Sequence, residues 1–101
     1  MNNLNEFNYS EHIEANGVTL VDFWAAWCGP CRMMEPVLTQ LENEGIKVNK
    51  VNIDQESMLA ARHRIQSIPT IIVYKDKQEK GRIVGAMPLA QLKQEIAKLT
   101  S

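Results

Sequence analysis

The only two cysteines of the chain, Cys28 and Cys31, stand three residues apart in Trp27-Cys28-Gly29-Pro30-Cys31. On a helix, residues at i and i+3 bring their Cβ atoms to about 5–6 Å, close enough for a disulfide after a small adjustment. Such a bridge is a poor staple. In the chain-entropy picture a loop of about four residues contributes roughly 2 kcal/mol, against about 4.7 kcal/mol for a hundred-residue loop. A bond that is made and broken explains the pair better than a structural disulfide or two inert thiols. Cys28 falls at the expected N-terminus of a helix, where unpaired backbone N–H groups and the helix dipole favour a thiolate, so it is the candidate nucleophile. Cys31, one turn inside, reads as more buried and less acidic, suited to act second. A metal site is not indicated. Structural zinc takes four Cys or His ligands, and beyond this pair only His12 and His63 remain, without metal-site spacing. Arg32 stands where covalent haem attachment would need a histidine.

The residues before the cysteines, Val18 to Ala25, are apolar on both alternating faces apart from Thr19 and Asp22. That is the pattern of a central strand covered on both sides. A lone carboxylate there is costly to bury. Desolvation should raise the pKa of Asp22 and make it a proton acceptor near neutral pH; an acid satisfied by water or backbone, with no catalytic part, is the other reading. A helix begins at the cysteines and runs to about Glu44, with Gly45 as its C′ residue and a kink at Pro36.

Upstream, Asn8-Tyr9-Ser10-Glu11 has the form of a capping box, with a short helix to Gly17 and Tyr9 and Ile13 turned inward. Ile46 to Ile53 is a second strand whose hydrophobic phase changes between Ile46/Val48 and Val51/Ile53, implying a bulge or burial on both faces. Asp54 is placed to cap a short helix through about His63. Thr70 to Tyr74 and Arg82 to Val84 are further strands, joined by a polar hairpin loop from Lys75 to Gly81. Pro88 fits the first turn of a final helix, in which Leu89, Leu92, Ile96 and Leu99 form one apolar stripe. The order predicts an α/β protein: a βαβ half, then a ββα half, giving a central mixed sheet of four to five strands flanked by about four helices. The fifth strand would lie over Asn3 to Glu6. On the residues alone Lys50 reads as an exposed strand lysine and His12 and His63 as solvated helix residues. Met33, Met34 and Met58 read as core or flank, Trp24 as core, and Trp27 as either core or rim.

With 101 residues, 45% hydrophobic and 23% charged, residues 1–101 fit one compact domain. The formal net charge is −1 and no stretch gathers Lys or Arg, which argues against a surface for nucleic acid or anionic membrane. The segment Met1-Asn2-Asn3-Leu4-Asn5-Glu6 lacks the basic and apolar regions of a secretory signal. Nothing approaches the roughly 20 apolar residues that span a bilayer. The expected compartment is the cytoplasm and the expected state a monomer.

The segment Val21-Asp22-Phe23-Trp24-Ala25-Ala26-Trp27-Cys28-Gly29-Pro30-Cys31 resembles the active-site segment of the thioredoxin family. Lys50-Val51-Asn52-Ile53-Asp54, Ser67-Ile68-Pro69-Thr70 and Val84-Gly85-Ala86 follow in that family's order and approximate spacing. The resemblance runs from about Val18 to the C-terminal helix. It implies a thioredoxin fold and a thiol–disulfide oxidoreductase that reduces disulfides in substrate proteins through a Cys28–Cys31 redox disulfide. It also implies that Asp22 lies beneath the site and helps deprotonate Cys31, and that Lys50 approaches Asp22. Pro69 would follow a cis peptide bond beside the cysteines, and Trp27, Ile68, Gly85 and Ala86 would form the apolar surface that receives substrate; Met87, by its position just after Val84-Gly85-Ala86 rather than by the resemblance, is the residue that could stand at its rim. No cofactor is expected on the chain, which has no Gly-rich dinucleotide fingerprint. The implied partner that recharges it is a thioredoxin reductase carrying FAD and using NADPH.

Gly29 and Pro30 bear on direction. Relatives that oxidise or isomerise often place a His between the cysteines, which stabilises the thiolate and the reduced form; without it the dithiol gives up electrons more readily. An oxidase or isomerase is therefore the first rival, and a binding module using the same surface without turnover the second. Three features depart from the family: Asp76-Lys77 in place of Asn-Gly or Asp-Gly, Ser67 in place of a common glycine, and a stretch from Pro36 to Lys50 that is a few residues shorter.

Overall fold

A computed structural model describes residues 1–13 and 16–101. Its elements, in chain order, are β1 (Asn2–Asn3), α1 (Tyr9–Ile13), β2 (Val18–Trp24), α2 (Gly29–Asn43), β3 (Lys47–Asn52), α3 (Ser57–Arg62), β4 (Thr70–Lys75), β5 (Gln78–Val84) and α4 (Leu89–Thr100). The sheet order is β1-β3-β2-β4-β5. β1, β3 and β2 run parallel, and β4 and β5 join antiparallel. This is the mixed α/β arrangement expected, with the short first strand at Asn2–Asn3 rather than Asn3 to Glu6.

β2 is central and covered on both faces. Leu20 packs with Met34, Leu38 and Leu41 of α2 and Leu92 and Ile96 of α4. Val21 and Phe23, on the other face, pack with Tyr9 of α1 and Leu59 and Ala60 of α3. Each fully buried aliphatic or aromatic side chain contributes about 1.5–3 kcal/mol relative to exposure. Leu92 and Ile96 are buried and Leu89 and Leu99 pack at their flanks, so the apolar stripe of α4 is as read. α2 ends in a Schellman motif: the N–H of Gly45 donates to the Glu42 carbonyl and that of Ile46 to the Leu41 carbonyl, with Gly45 at φ +97°.

Several local expectations are corrected. The side chain that caps the entry to α1 is Asn5, whose Oδ1 accepts from the Phe7 and Asn8 N–H groups, while the Asn8 side chain accepts from the N–H of Asn5. The helix expected to end at Gly17 is described as far as Ile13; residues 16 and 17 form a bend, with Gly17 at φ +84°, and residues 14 and 15 lie outside the described residues. β3 pairs with β2 without interruption and buries Val48, Asn49, Lys50 and Val51, so its phase change comes from burial on both faces rather than from a bulge. Asp54 does not cap α3; the Asn52 side chain accepts from the Asp54 and Gln55 N–H groups, and Glu56 is an N-cap without a side-chain bond. Pro88 is the N-cap of α4, one residue earlier than expected.

The loop placed over Lys75 to Gly81 is mostly strand. Only Asp76 and Lys77 turn, both at positive φ (51° and 76°), as a two-residue hairpin of primed type requires. The Asp76 side chain accepts from the Gly17 N–H at 2.7 Å, tying the turn to the start of β2. His63 is half-buried rather than fully solvated: its ring lies 4.7 Å from Tyr9 and 5.5 Å from Phe23, centroid to centroid.

Candidate active site

Cys28 is the N-cap of α2, in an extended conformation with φ −91° and ψ 110°. Its Sγ accepts from the Cys31 N–H at 3.2 Å, one of the orphan donors every helix start presents. Cys28 and Cys31 are joined as a disulfide, with Cα atoms 5.2 Å apart. Cys31 is the more enclosed, 2% exposed against 6% for Cys28. Gly29 and Pro30 occupy the first two helical positions, where a missing proline N–H costs no intrahelical bond.

Around the sulfurs lies a small apolar cluster of Ala25, Cys28 and Cys31, with Trp24, Ile53 and Ile68 packed against it. The Ile68–Pro69 peptide is cis, and the Ile68 carbonyl oxygen lies 3.9 Å from Cys28 Sγ. The Pro69 carbonyl accepts from the Gly85 N–H at 2.9 Å, which brings the segment Val84-Gly85-Ala86 beside the Ile68–Pro69 turn. Gly85 sits at φ +97°, a conformation that side chains disfavour. Ala86 is exposed and Ile68 half-buried. Trp27 is a rim residue, 67% exposed, so the core alternative is wrong; its Nε1–H donates to Asp54 Oδ2 at 2.8 Å. Met33, Met34, Val37, Ala86, Met87 and Pro88 line an adjoining apolar groove of about 310 Å³. Met34 is core, whereas Met33 and Met58 are exposed.

Asp22 lies on the face of β2 that carries Leu20 and Trp24, between the main core below and the cysteine cluster above. It is 1% exposed, and its Oδ1 has no hydrogen-bond partner among the described residues. Burial pushes its carboxyl up to about 7, and the positive charge of Lys50 opposes that rise. Lys50 is directly across from Asp22 in the β2–β3 register. It is buried rather than exposed, which corrects the reading from residues alone, and burial lowers its pKa. Its ammonium lies 4.0 Å from the centre of the Trp24 ring. Its ion pair is with Glu35 of α2 and not with Asp22.

Sequence reasoning missed Glu35 and the Asp54 contact to Trp27. The helical phase of α2 puts Glu35 at the edge of the inward stripe formed by Cys31, Met34, Leu38 and Leu41, partly exposed, but its pairing with Lys50 depends on the register of β3 as well.

Two sulfurs at a helix start, one nearer the surface than the other, beneath an apolar rim, are arranged to exchange one disulfide for another. That is the chemistry of the thiol–disulfide oxidoreductases. The thioredoxin family profile matches residues 1–98. Thioredoxin 1 of a Nostoc species is 44% identical over 91 residues, covering 87% of this chain and 85% of that protein. Thioredoxin of Staphylococcus saprophyticus is 40% identical over 94 residues, covering 90% and 89%. A solved chain from work on thiol resolution in yeast mitochondrial 1-Cys peroxiredoxin via glutathione/thioredoxin systems superposes with a TM-score of 0.87 at 32% identity, covering 97% of this chain and 94% of that one. The chain belongs to the thioredoxin family. It is a thioredoxin-type thiol–disulfide oxidoreductase, a protein-disulfide reductase with a redox-active Cys28–Cys31 disulfide.

Proposed function

We propose that the chain is a general electron donor to disulfide-containing proteins, working as one domain over residues 1–101 in two exchange steps. The Cys28 thiolate attacks a substrate disulfide; a bond forms between Cys28 and one substrate sulfur, and the other substrate sulfur leaves as thiolate and takes up a proton. The Cys31 thiol then gives its proton to Asp22 and attacks Cys28 Sγ. The mixed disulfide breaks, the second substrate thiol is released, and the chain is left with its own disulfide. Two electrons pass to the substrate.

The observation that carries this reading is the position of Cys28 as N-cap, with Sγ accepting from the Cys31 N–H at 3.2 Å. The same donor and the helix dipole favour a thiolate at Cys28 once the disulfide is reduced. Gly29 and Pro30 add no positive charge beside that sulfur, which favours a reductant over an oxidase or isomerase. Trp27, Ile68, Gly85 and Ala86 form the surface that receives an extended substrate segment. The partner that returns electrons is a thioredoxin reductase carrying FAD and using NADPH, and the compartment is the cytoplasm, with the chain acting as a monomer. No described helix is long and apolar enough to cross a membrane.

Brief, limiting iodoacetamide treatment of the reduced protein near neutral pH, followed by mass mapping, tests the role assignment. Alkylation should fall on Cys28; predominant labelling of Cys31 would overturn it.

A further inference from the structure

Lys50 faces two acids and is paired with only one. Its backbone is in register with Asp22, yet its ammonium is held by Glu35 from the helix above. Glu35 is four residues, about one turn, beyond Cys31 on α2, and its side chain is partly exposed while that of Lys50 is 9% exposed. The lysine therefore spans from the buried carboxylate toward the solvent edge, with its ammonium over the Trp24 ring. Asp22 Oδ1 is left without any donor.

Among the described residues, the charged and titratable groups around Asp22 come from two elements. β3 presents Lys50; α2 presents Cys28, Cys31 and Glu35, while Arg32 of the same helix is exposed and reaches the Ala26 carbonyl instead. β4 presents Ile71 in register with Asp22, and α4 packs Leu92 and Ile96 into this face. Lys50 is the cation whose charge opposes the burial of Asp22, and its ammonium is paired with Glu35.

We propose that Glu35 is a positioning residue of the dithiol site: by binding the Lys50 ammonium at the solvent edge it limits how strongly that cation stabilises ionised Asp22. The effect is to keep Asp22 a stronger base for Cys31 than it would be beside an unpaired lysine. This rests on the proposed role of Asp22 as proton acceptor, but it is measured separately from that role.

The test follows the Asp22 carboxyl by ¹³C NMR against pH in the reduced wild type, Glu35→Gln, Lys50→Met and the double variant. In Glu35→Gln the freed ammonium should turn toward Asp22 and move its titration midpoint to lower pH. A displacement of about half a pH unit, roughly threefold in proton affinity, is expected. In the Lys50→Met background, Glu35→Gln should leave the midpoint in place, and Glu35→Asp in the wild-type background should keep most of the original midpoint. An unmoved midpoint in Glu35→Gln overturns the proposal, as does an equal displacement with and without Lys50, which would mean that Glu35 acts on Asp22 directly. These titrations do not depend on catalysis. Failure of Asp22 as base shows up instead in the turnover of Asp22→Asn, so the two ideas fall independently.

Discussion

Two groups of titratable side chains are buried on opposite faces of the same sheet, and their hydrogen bonding is completed to different degrees. On the face toward α1 and α3, Tyr9 and Tyr74 share a hydrogen bond of 2.7 Å between their hydroxyls, and His63 packs on Tyr9 and Phe23. Burial raises both tyrosine pKa values, and it lowers that of His63, aided by Arg82 and Arg62 and opposed by Glu79. All three are held neutral at neutral pH. On the face toward α2, Asp22 and Lys50 are buried, Lys50 pairs with the partly exposed Glu35, and Asp22 Oδ1 is left unmatched. A buried hydroxyl pair that satisfies itself fixes a core. A buried carboxyl without a donor keeps a loosely held choice between charged and neutral forms, which is what proton transfer near pH 7 needs.

The largest expected effect lies at the end of the reactive face. Cys31→Ser should stop multiple turnover, a loss of more than about 10³-fold in disulfide reduction, and should accumulate stable mixed disulfides on Cys28. Cys28→Ser should capture few or none, as non-reducing gels of the trapped proteins will show. Equal capture by both variants contradicts the two-step order.

Asp22→Asn should slow the resolving step by about 10²-fold while making the fold more stable. A carboxyl raised from 3.8 to about 7 binds more protons in the folded than in the unfolded state between those two pH values. Stability contributed by the neutral acid is therefore complete below about pH 4, falls as pH rises toward 7, and is absent above that. At about 1.4 kcal/mol for each tenfold in proton affinity, the asparagine variant gains up to roughly 4 kcal/mol above pH 7 and progressively less below it. Denaturant unfolding from pH 5 to 9 measures the difference.

The opposite face should answer in the other sense. Tyr9→Phe leaves the Tyr74 hydroxyl buried without its partner and should cost about 1–3 kcal/mol, whereas Tyr9→Phe with Tyr74→Phe should recover most of that loss. Neither should alter the rate of disulfide reduction; a large kinetic effect would erase the contrast between the faces. The smallest effect concerns His63. Its lowered pKa means that the unfolded chain binds more protons as pH falls below about 6.5, so its contribution to stability is present above that pH and is lost in acid. That slope opposes the slope from Asp22 and should become visible in the Asp22→Asn background, then shrink in Asp22→Asn with His63→Gln.

The elements with strong periodicity were legible from the residues. The apolar run of β2, the inward stripe of α4 and the Gly45 stop of α2 each follow from one local rule. β5 was largely hidden because it is an edge strand: Gln78, Glu79 and Lys80 face solvent, and only Ile83 is buried. A polar edge looks like a loop. The capping of α1 was misplaced because two asparagines stand three residues apart and either could serve. At the site, the cysteines, Asp22 and Pro69 could be named from the chain, by residue chemistry and by family resemblance. The Lys50–Glu35 pair could not, since it depends on the helical phase of α2 and the register of β3 together.

The pH dependence of the second exchange step tests the contrast most directly. Mixing the reduced protein with an aromatic disulfide of the nitrobenzoate type loads Cys28 and then releases a second coloured thiolate when Cys31 attacks. Stopped-flow absorbance from pH 5 to 9 reads that release. In the wild type the rate should rise with pH through a limb centred near 7, the value to which burial pushes Asp22; in Asp22→Asn that limb should vanish. The same limb in both proteins, at the same pH and with the same amplitude, would contradict the assignment of Asp22 as the proton acceptor.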